Sequence, residues 1–334
     1  MTGWRSIQRL AVTVVLAMAT VLPAIQGWAG EAEPRKPRVE LSIGSWLFTN
    51  GETKWSHNAS GLDPRLGNPT SELTYKDNNT HIIDLSGRLN FNKRWFVQVN
   101  GGFSVSLNRG TLTDDDYSAV GGQHLFSQTT SDITGSGTQY VNADLGYRLF
   151  EYPGHRGDLS VFVGYQYWRT KYEASGVTQV VCAPSGIPGL TCDPAGTISH
   201  QGEVAITNTT QWNSLRMGAQ TDYRLTKRFS VEGKLAFIPV SYLQNDDIHH
   251  LRSDLQQNPS FYMYGYGIGV DVGAGARYMV YDGWYLNAGY QFWWNYLVDG
   301  NVDFYPVASP SGSVPLKEFQ TMRYGFTLGV NKTF

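Results

Sequence analysis

Two short clusters of residues are of the types that could activate water. Asp114 and Asp116 flank Asp115 in one cluster, and Asp247 and His249 stand two positions apart in the other. Residues two apart in an extended segment point the same way, so each pair can face one cleft. Two close carboxylates cannot both ionise cheaply, and a histidine beside a carboxylate can act as a general base. A water-activating site could therefore be assembled from these four residues.

Two other interpretations of the same residues remain open. Acidic loops at the rim of a protein are common simply because they are solvated, and some close carboxylate and histidine pairs arise there by chance. A divalent metal could also bind such residues, but no third ligand is fixed by the spacing, so we predict no metal site.

The first 29 residues have the features of an export signal. Arg5 and Arg9 precede an apolar run, and Gly27 and Ala29 are small residues suited to a cleavage site. The alternative is a membrane anchor, but the run is short for a helical span. We expect residues 1–29 to be removed and 30–334 to form one domain. The remaining 24 basic and 28 acidic residues give a formal charge of −4, which argues against a nucleic-acid partner.

The rest of the chain alternates with period two, which predicts strands between lipid and a polar lumen. In the last segment Tyr324, Phe326 and Leu328 alternate with polar or small residues, and the chain ends at Phe334. We predict an all-β fold, a transmembrane β-barrel of about ten antiparallel strands with long extracellular loops. The expected strands lie near 38–50, 71–91, 95–107, 139–151, 157–174, 202–225, 229–244, 262–281, 284–305 and 316–334.

Short turns and long loops alternate between these strands. The long connections are 51–70, 108–138, 175–201, 245–261 and 306–315, and they place both acidic clusters at one rim of the barrel. Trp293, Trp294 and Tyr296 are expected in the outer aromatic girdle. The two cysteines, Cys182 and Cys192, share one exported loop, where a local disulfide is the simplest expectation.

Several motifs, taken in order, resemble the omptins, a family of outer-membrane proteases with ten-stranded barrels. The matching segments are Ser71 to Ile83, Arg109 to Tyr117, Ser131 with Tyr140 to Asn142, Gly164 to Arg169, Asp247 to His249, and the terminal strand ending in Phe334. Each motif is weak alone, but together they span nearly the whole mature chain.

The resemblance implies an endopeptidase in which water attacks the peptide carbonyl without a covalent intermediate. Asp114 and Asp116 would then face Asp247 and His249, with His249 as the base and Asp247 orienting it. Ser131 would be a secondary residue near the cleft. The family's two acidic pocket positions align with Trp55 and Asn245, although Glu52 or Asp246 could substitute with a small register shift. Trp55 would favour a bulkier or apolar substrate side chain over a basic one.

The resemblance also implies binding of lipopolysaccharide, with a possible requirement for it in activity. Tyr165 and Arg169 are retained from the family's lipopolysaccharide cluster, whereas an ordinary girdle with one snorkelling cation explains them equally well. No other cofactor is expected, and the protein is expected to be a monomer in the outer membrane of a bacterium. The alternative function is a non-enzymatic barrel on the same scaffold, either an adhesin or a narrow channel.

Overall fold

The computed structural model describes residues 39–105 and 109–334 and consists almost entirely of antiparallel strands. The predicted signal segment lies outside the described residues. No helix within the described ranges is long and apolar enough to cross a membrane. The strands are β1 Val39–His57, β2 Leu66–Lys76, β3 Thr80–Asn90, β4 Trp95–Ser104, β5 Thr111–Ser118, β6 His124–Glu151, β7 Gly157–Cys182, β8 Ile198–Arg224, β9 Phe229–His249, β10 Phe261–Tyr281, β11 Trp284–Phe304 and β12 Gly312–Thr333.

The sheet closes on itself because β1 pairs with β12, so the ring has no free edge among these strands. It contains twelve strands rather than the expected ten or so. The long β1 pairs with β3 along one part of its length and with β2 along another, and β6 likewise pairs with both β4 and β5. The expected strand 71–91 is thus divided into β2 and β3. The expected loop 108–138 is largely strand, since it contains β5 and the beginning of β6.

The two ends of the ring differ in the length of their connections. At one end, here called the turn end, β3 and β4 are joined by residues 91–94 and β10 and β11 by 282–283. At the opposite end, the loop end, β7 and β8 are joined by 183–197 and β9 and β10 by 250–260. The disulfide between Cys182 and Cys192 closes the first of these loops, with the Cα atoms 5.6 Å apart, and the predicted pairing is confirmed.

Outward-facing apolar side chains form a band that ends before the loop end. On β9, Phe237 and Val240 are exposed, whereas Gln244 and Asp246 follow on the same face. Outward side chains that contact the hydrocarbon core of a membrane must be apolar, so the band marks the membrane-spanning part and the polar ends project beyond it. Both acidic clusters lie in these projecting ends.

Large side chains cross the lumen between the two ends. Trp293 makes edge-to-face contacts with Trp46, Tyr140 and Trp168, with ring centroids 4.9, 4.7 and 5.7 Å away. Trp293 is 2% exposed, so its expected place in the outer girdle is wrong. Neighbouring residues of a strand point to opposite faces, and of the adjacent pair only Trp294 can face outward.

A buried ion cluster lies in the lumen on strands β6, β8 and β10. The guanidinium of Arg216 donates two hydrogen bonds to Asp144, at 2.8 and 2.6 Å, and one to Asp271 at 2.7 Å. Lys234 also reaches Asp144, at 3.0 Å. These contacts connect strands that lie within one run of five consecutive neighbours in the ring, from β6 to β10. Pro153–His155 form a single turn of 3-10 helix.

Candidate active site

Asp247 and His249 form the centre of one wall of a cleft at the loop end. Both lie at the end of β9, where Asp247 is opposite Asn208 of β8 and Phe261 of β10. Nε2 of His249 is 2.9 Å from Oδ2 of Asp247. The edge of the His249 ring meets the Phe261 ring at a centroid distance of 5.0 Å. The imidazole is therefore held by a carboxylate on one side and an aromatic ring on another.

Two further donors hold the Asp247 carboxylate, which is fully buried. Its Oδ1 accepts hydrogen bonds from the amide of Asn208, at 2.9 Å, and from the hydroxyl of Tyr75, at 3.2 Å. With His249 this gives Asp247 three hydrogen-bond partners, which fix the position of its carboxylate. Tyr75 lies on β2, five strand positions around the ring from β9, so its hydroxyl crosses the lumen.

Asn245 supports this wall from within the barrel. Its amide donates to Oδ1 of Asn208, at 2.9 Å, and to Oγ1 of Thr210, at 2.8 Å. It accepts a hydrogen bond from Asn208 in return, at 3.2 Å. Asn245 is buried and is not among the residues that line the cleft. In this position Asn245 holds the side chain of Asn208 rather than contacting a ligand in the cleft.

The opposite wall is a grid of inward side chains on β1, β2, β5 and β6. Three rows run across these strands, each with residues directly opposite one another, and the strands are about 4.8 Å apart. The deepest row contains Thr53, Tyr75, Leu112 and Ser131; the middle row contains Trp55, Leu73, Asp114 and Thr129; the outer row contains His57, Ser71, Asp116 and Ser127.

The grid fixes the direction of the acidic cluster. Asp114 and Asp116 both line the cleft, and Asp114 accepts a hydrogen bond from Ser71 at 3.3 Å. Asp115 points to the other face, where its carboxylate accepts from Gln128 at 2.7 Å. The three carboxylates therefore do not act as one group. The alternation within β5 brings two of them into the cleft and leaves the third outside.

Both walls line one cleft with a volume of about 280 Å³. It brings together Asp114, Asp116 and His249, and it also contains Trp55 and Ser131 from the predicted pocket. Asp247 lies behind His249. Among the described residues, no group of three His, Cys, Asp or Glu side chains is arranged to hold a metal ion.

The aspartate pair lies in an environment that favours a bound proton. Burial, followed by the neighbouring charge of Asp116, raises the pKa of Asp114 to about 8. Burial also raises the pKa of Asp116, although Ser71 and His249 oppose the effect. Near neutral pH the pair therefore holds one proton, which can be donated to an oxygen atom in the cleft.

The pKa of His249 is governed by two opposing effects. Burial lowers it, but the hydrogen bond and the charge of Asp247 outweigh burial, so the pKa of His249 is raised above its ordinary value. In the tautomer that carries its proton on Nε2, His249 donates to Asp247, and Nδ1 is left as the nitrogen that accepts a proton. In this tautomer the ring can act as a general base through Nδ1.

Tyr75, Asn208 and Ser71 are contacts that the sequence did not predict. Ser71 and Tyr75 belong to a motif that also marks the strand, and each lies two residues from Leu73, so both share its inward face. Asn208 has no distinguishing local pattern, because polar residues occupy both faces of β8 near it. Its proximity to Asp247 depends on the β8–β9 register.

Tyr165 and Arg169 lie on β7 away from the cleft. Tyr165 is exposed, and its hydroxyl donates to Oδ1 of Asn213 on β8 at 2.5 Å. Arg169 stands opposite Gln211 of β8. Burial raises the pKa of Asp246, and the charge of Arg169 partly opposes this effect. The two residues therefore form an outward polar surface that extends across β7 to β9.

Comparison with known families identifies the chain. A family model described as Protochlamydia outer membrane protein matches residues 48–334. The chain belongs to this family. No curated protein matches it in sequence. As a member of an outer-membrane family with a closed antiparallel ring, it is an outer-membrane β-barrel protein.

The fold of this family member is similar to that of a solved barrel structure. The outer membrane protease OmpT from Escherichia coli is similar with a TM-score of 0.74 and 16% sequence identity, covering 91% of this chain and 99% of that one. At this identity the likeness establishes an OmpT-like fold and nothing further. The translocator domain of the autotransporter NalP from Neisseria meningitidis gives a TM-score of 0.36 with 10% identity, covering 99% of this chain and 98% of that one, and carries no argument.

Proposed function

We propose that the protein is an outer-membrane endopeptidase that cleaves extracellular peptides or proteins in the cleft at the loop end. The observation that carries the proposal is the fixed Asp247–His249 pair on one wall, facing a proton-retaining aspartate pair on the other. The OmpT-like fold agrees with this proposal, since OmpT is itself an outer membrane protease.

The proposed reaction is direct hydrolysis of a peptide bond. His249 takes a proton from a water molecule in the cleft as the water oxygen attacks the carbonyl carbon. The protonated carboxyl of the Asp114 and Asp116 pair donates a hydrogen bond to the developing oxyanion. The carbon–nitrogen bond then breaks, and His249 returns the proton to the leaving amine. Asp247 stabilises the imidazolium that forms between these steps.

We propose that lipopolysaccharide binds the protein in the outer membrane and that this binding supports activity. Tyr165 and Arg169 would contribute to its binding from the outward surface of β7. The chain is proposed to act as a monomer, since both walls of the cleft come from one ring.

The test is cleavage of an unfolded peptide library by the purified protein, refolded with and without lipopolysaccharide and followed by mass spectrometry. His249→Ala is expected to slow cleavage by about 100-fold to 10,000-fold, because the general base is lost. Asp114→Asn and Asp116→Asn are expected to impair turnover as well.

Two neighbouring substitutions serve as matched controls. Asp115→Asn and His250→Ala change side chains of the same types that face away from the cleft, and Nε2 of His250 instead contacts Thr207 at 2.9 Å. Both should leave cleavage nearly unchanged. Absence of cleavage across the library in the presence of lipopolysaccharide, or full activity of His249→Ala, would contradict the proposed protease function. A non-enzymatic surface barrel would then be the favoured function.

A further inference from the structure

The inner part of the cleft is formed by apolar side chains. Trp55, Leu73 and Leu112 are each 1% exposed and line the wall next to Asp114. Ile206 and Phe261 line the facing wall. Trp55 and Leu73 lie in the same row as Asp114, so Trp55 is two strands away, about 10 Å between backbones. An apolar surface therefore begins directly beside the carboxylates.

The cleft offers no spare carboxylate to a basic side chain. Among the described residues that line it, the carboxylates are those of Asp114 and Asp116. Glu52 lies on the opposite face of β1 from Trp55, beside Lys54, which bridges the outward Glu72 and Glu318 at 3.0 and 3.1 Å. Asp246 lies on the outward face of β9. The register shift that would have brought either acid into the pocket is therefore absent.

The other charged group at the cleft repels cations. Arg252 lines the cleft, and its charge acts to lower the pKa of Asp116 against the larger effect of burial. Its guanidinium donates to Asp254 at 2.8 and 2.7 Å. His57, beside Trp55, is kept neutral because burial lowers its pKa to about 4. Beside Trp55, a substrate lysine or arginine would meet no carboxylate other than those of the aspartate pair, at the cost of desolvating its charge.

We propose that the cleft selects peptides by an apolar side chain, aromatic or large aliphatic, held against Trp55, Leu73 and Phe261, and that it rejects lysine and arginine there. This inference rests on the proposed function, because it assigns the substrate class of the same site. Burial of an aromatic side chain on these surfaces supplies the binding energy, and the rings of Trp55 and Phe261, packed against each other with centroids 6.4 Å apart, form one continuous aromatic surface for it.

The experiment separates binding preference from catalysis. Blocked pentapeptides of alanine, with Phe, Leu, Lys, Arg or Glu as the central residue, are titrated into the full-length His249→Ala protein refolded with lipopolysaccharide. Affinity is measured by isothermal titration calorimetry. The Phe and Leu peptides are expected to bind at least about tenfold more tightly than the Lys and Arg peptides, because their side chains bury apolar surface without burying an unpaired charge. Equal or tighter binding of the Lys and Arg peptides, or no binding of any peptide, would overturn the inference.

A charge-introducing variant tests the role of Trp55. Trp55→Glu in the same background should reverse the preference toward Lys and Arg, whereas Trp55→Phe should retain the apolar preference. Circular dichroism and heat-modifiable migration on gels verify that each variant is folded. Cleavage by the unsubstituted protein after Lys or Arg would overturn the apolar preference but keep the protease. Apolar binding without cleavage of any peptide would keep the preference and overturn the protease.

Discussion

The hydroxyl of Tyr75 donates a hydrogen bond to Oδ1 of Asp247 from the opposite side of the ring, at 3.2 Å. This contact joins the two walls of the cleft. Asp247 in turn holds His249, so the direction of the imidazole depends on a side chain that lies on the wall of the aspartate pair. Tyr75 is also stacked on Tyr172, at a centroid distance of 5.4 Å, which fixes its ring.

Tyr75→Phe should therefore slow cleavage while preserving substrate affinity. A hydrogen bond to a charged group contributes about 1.5–3 kcal/mol. If all of this energy stabilises the transition state, its loss lowers kcat by about tenfold to 100-fold. Steady-state kinetics should show a fall in kcat with little change in KM. Tyr172→Phe keeps the stacked rings and all three donors to Asp247, and it should have a smaller effect. A loss confined to KM would contradict a positioning role for Tyr75.

The pH dependence of cleavage should have two limbs. His249 works as a base only when neutral, and Asp247 raises its pKa, so activity should be lost as pH falls through that raised value. Asp114 works only when protonated, so activity should also be lost as pH rises through about 8. Profiles of kcat/KM against pH measure both limbs.

Substitution of each neighbour should move one limb. Asp247→Asn removes the charge that raises the pKa of His249, so the acidic limb of the residual activity should shift to lower pH. Asp116→Asn removes a charge that raises the pKa of Asp114, so the alkaline limb should also shift to lower pH. Asp115→Asn should move neither limb. An alkaline limb that does not respond to Asp116→Asn would exclude Asp114 as the group responsible.

The Arg216 cluster should contribute strongly to the stability of the barrel. Arg216→Met leaves Asp144 and Asp271 buried with one fewer cation, and removal of one partner of a buried ion pair costs about 3–5 kcal/mol. The free energy of unfolding in urea, measured in micelles, should fall by an amount of that order. Lys54→Met breaks the two ion pairs with Glu72 and Glu318 on the outer surface, each of which should contribute about 0–1 kcal/mol. Similar losses for the two variants would contradict the structural role of the cluster.

The disulfide should be dispensable for the barrel. A variant with both Cys182→Ser and Cys192→Ser loses a local ring, for which a loss of up to about 3 kcal/mol is expected, while every strand keeps its neighbours. Circular dichroism should remain that of a β-barrel. The mass of the unreduced, unsubstituted protein should be lower than that of the reduced protein by two hydrogens. Two free thiols in the unreduced protein would contradict the pairing.

The local pattern of the sequence determined the parts of this protein that depend on neighbouring residues alone. Period-two alternation predicts an antiparallel barrel, because a strand between lipid and a lumen must present two different faces. The same alternation turns Asp114 and Asp116 to one side and Asp115 to the other, as the structure has them. The spacing of Cys182 and Cys192 in one loop predicted their disulfide.

Strand ends were harder to predict because polar residues continue past the membrane in both strands and loops. Asp114 and Asp116 were expected in a loop, but they lie within β5, which is paired on both sides by β2 and β6. Hydrogen bonds to β2 and β6 keep this segment extended, although its own sequence has no apolar alternation. Its strand conformation therefore depends on the assembled sheet.

The direction of Asp247 was decided by the tertiary structure. Strict alternation from the lipid-facing Phe237 would also turn Asp247 outward, since the two are an even number of residues apart. Instead, β9 has one extra residue between Ile238 and Ser241 relative to both β8 and β10. Pro239 lies in this bulge and has no N–H to donate to a neighbouring strand. The bulge reverses the faces of β9, and it thereby brings Asp247 and His249 into the cleft with Tyr75, a contact that depends on two strands on opposite sides of a closed ring.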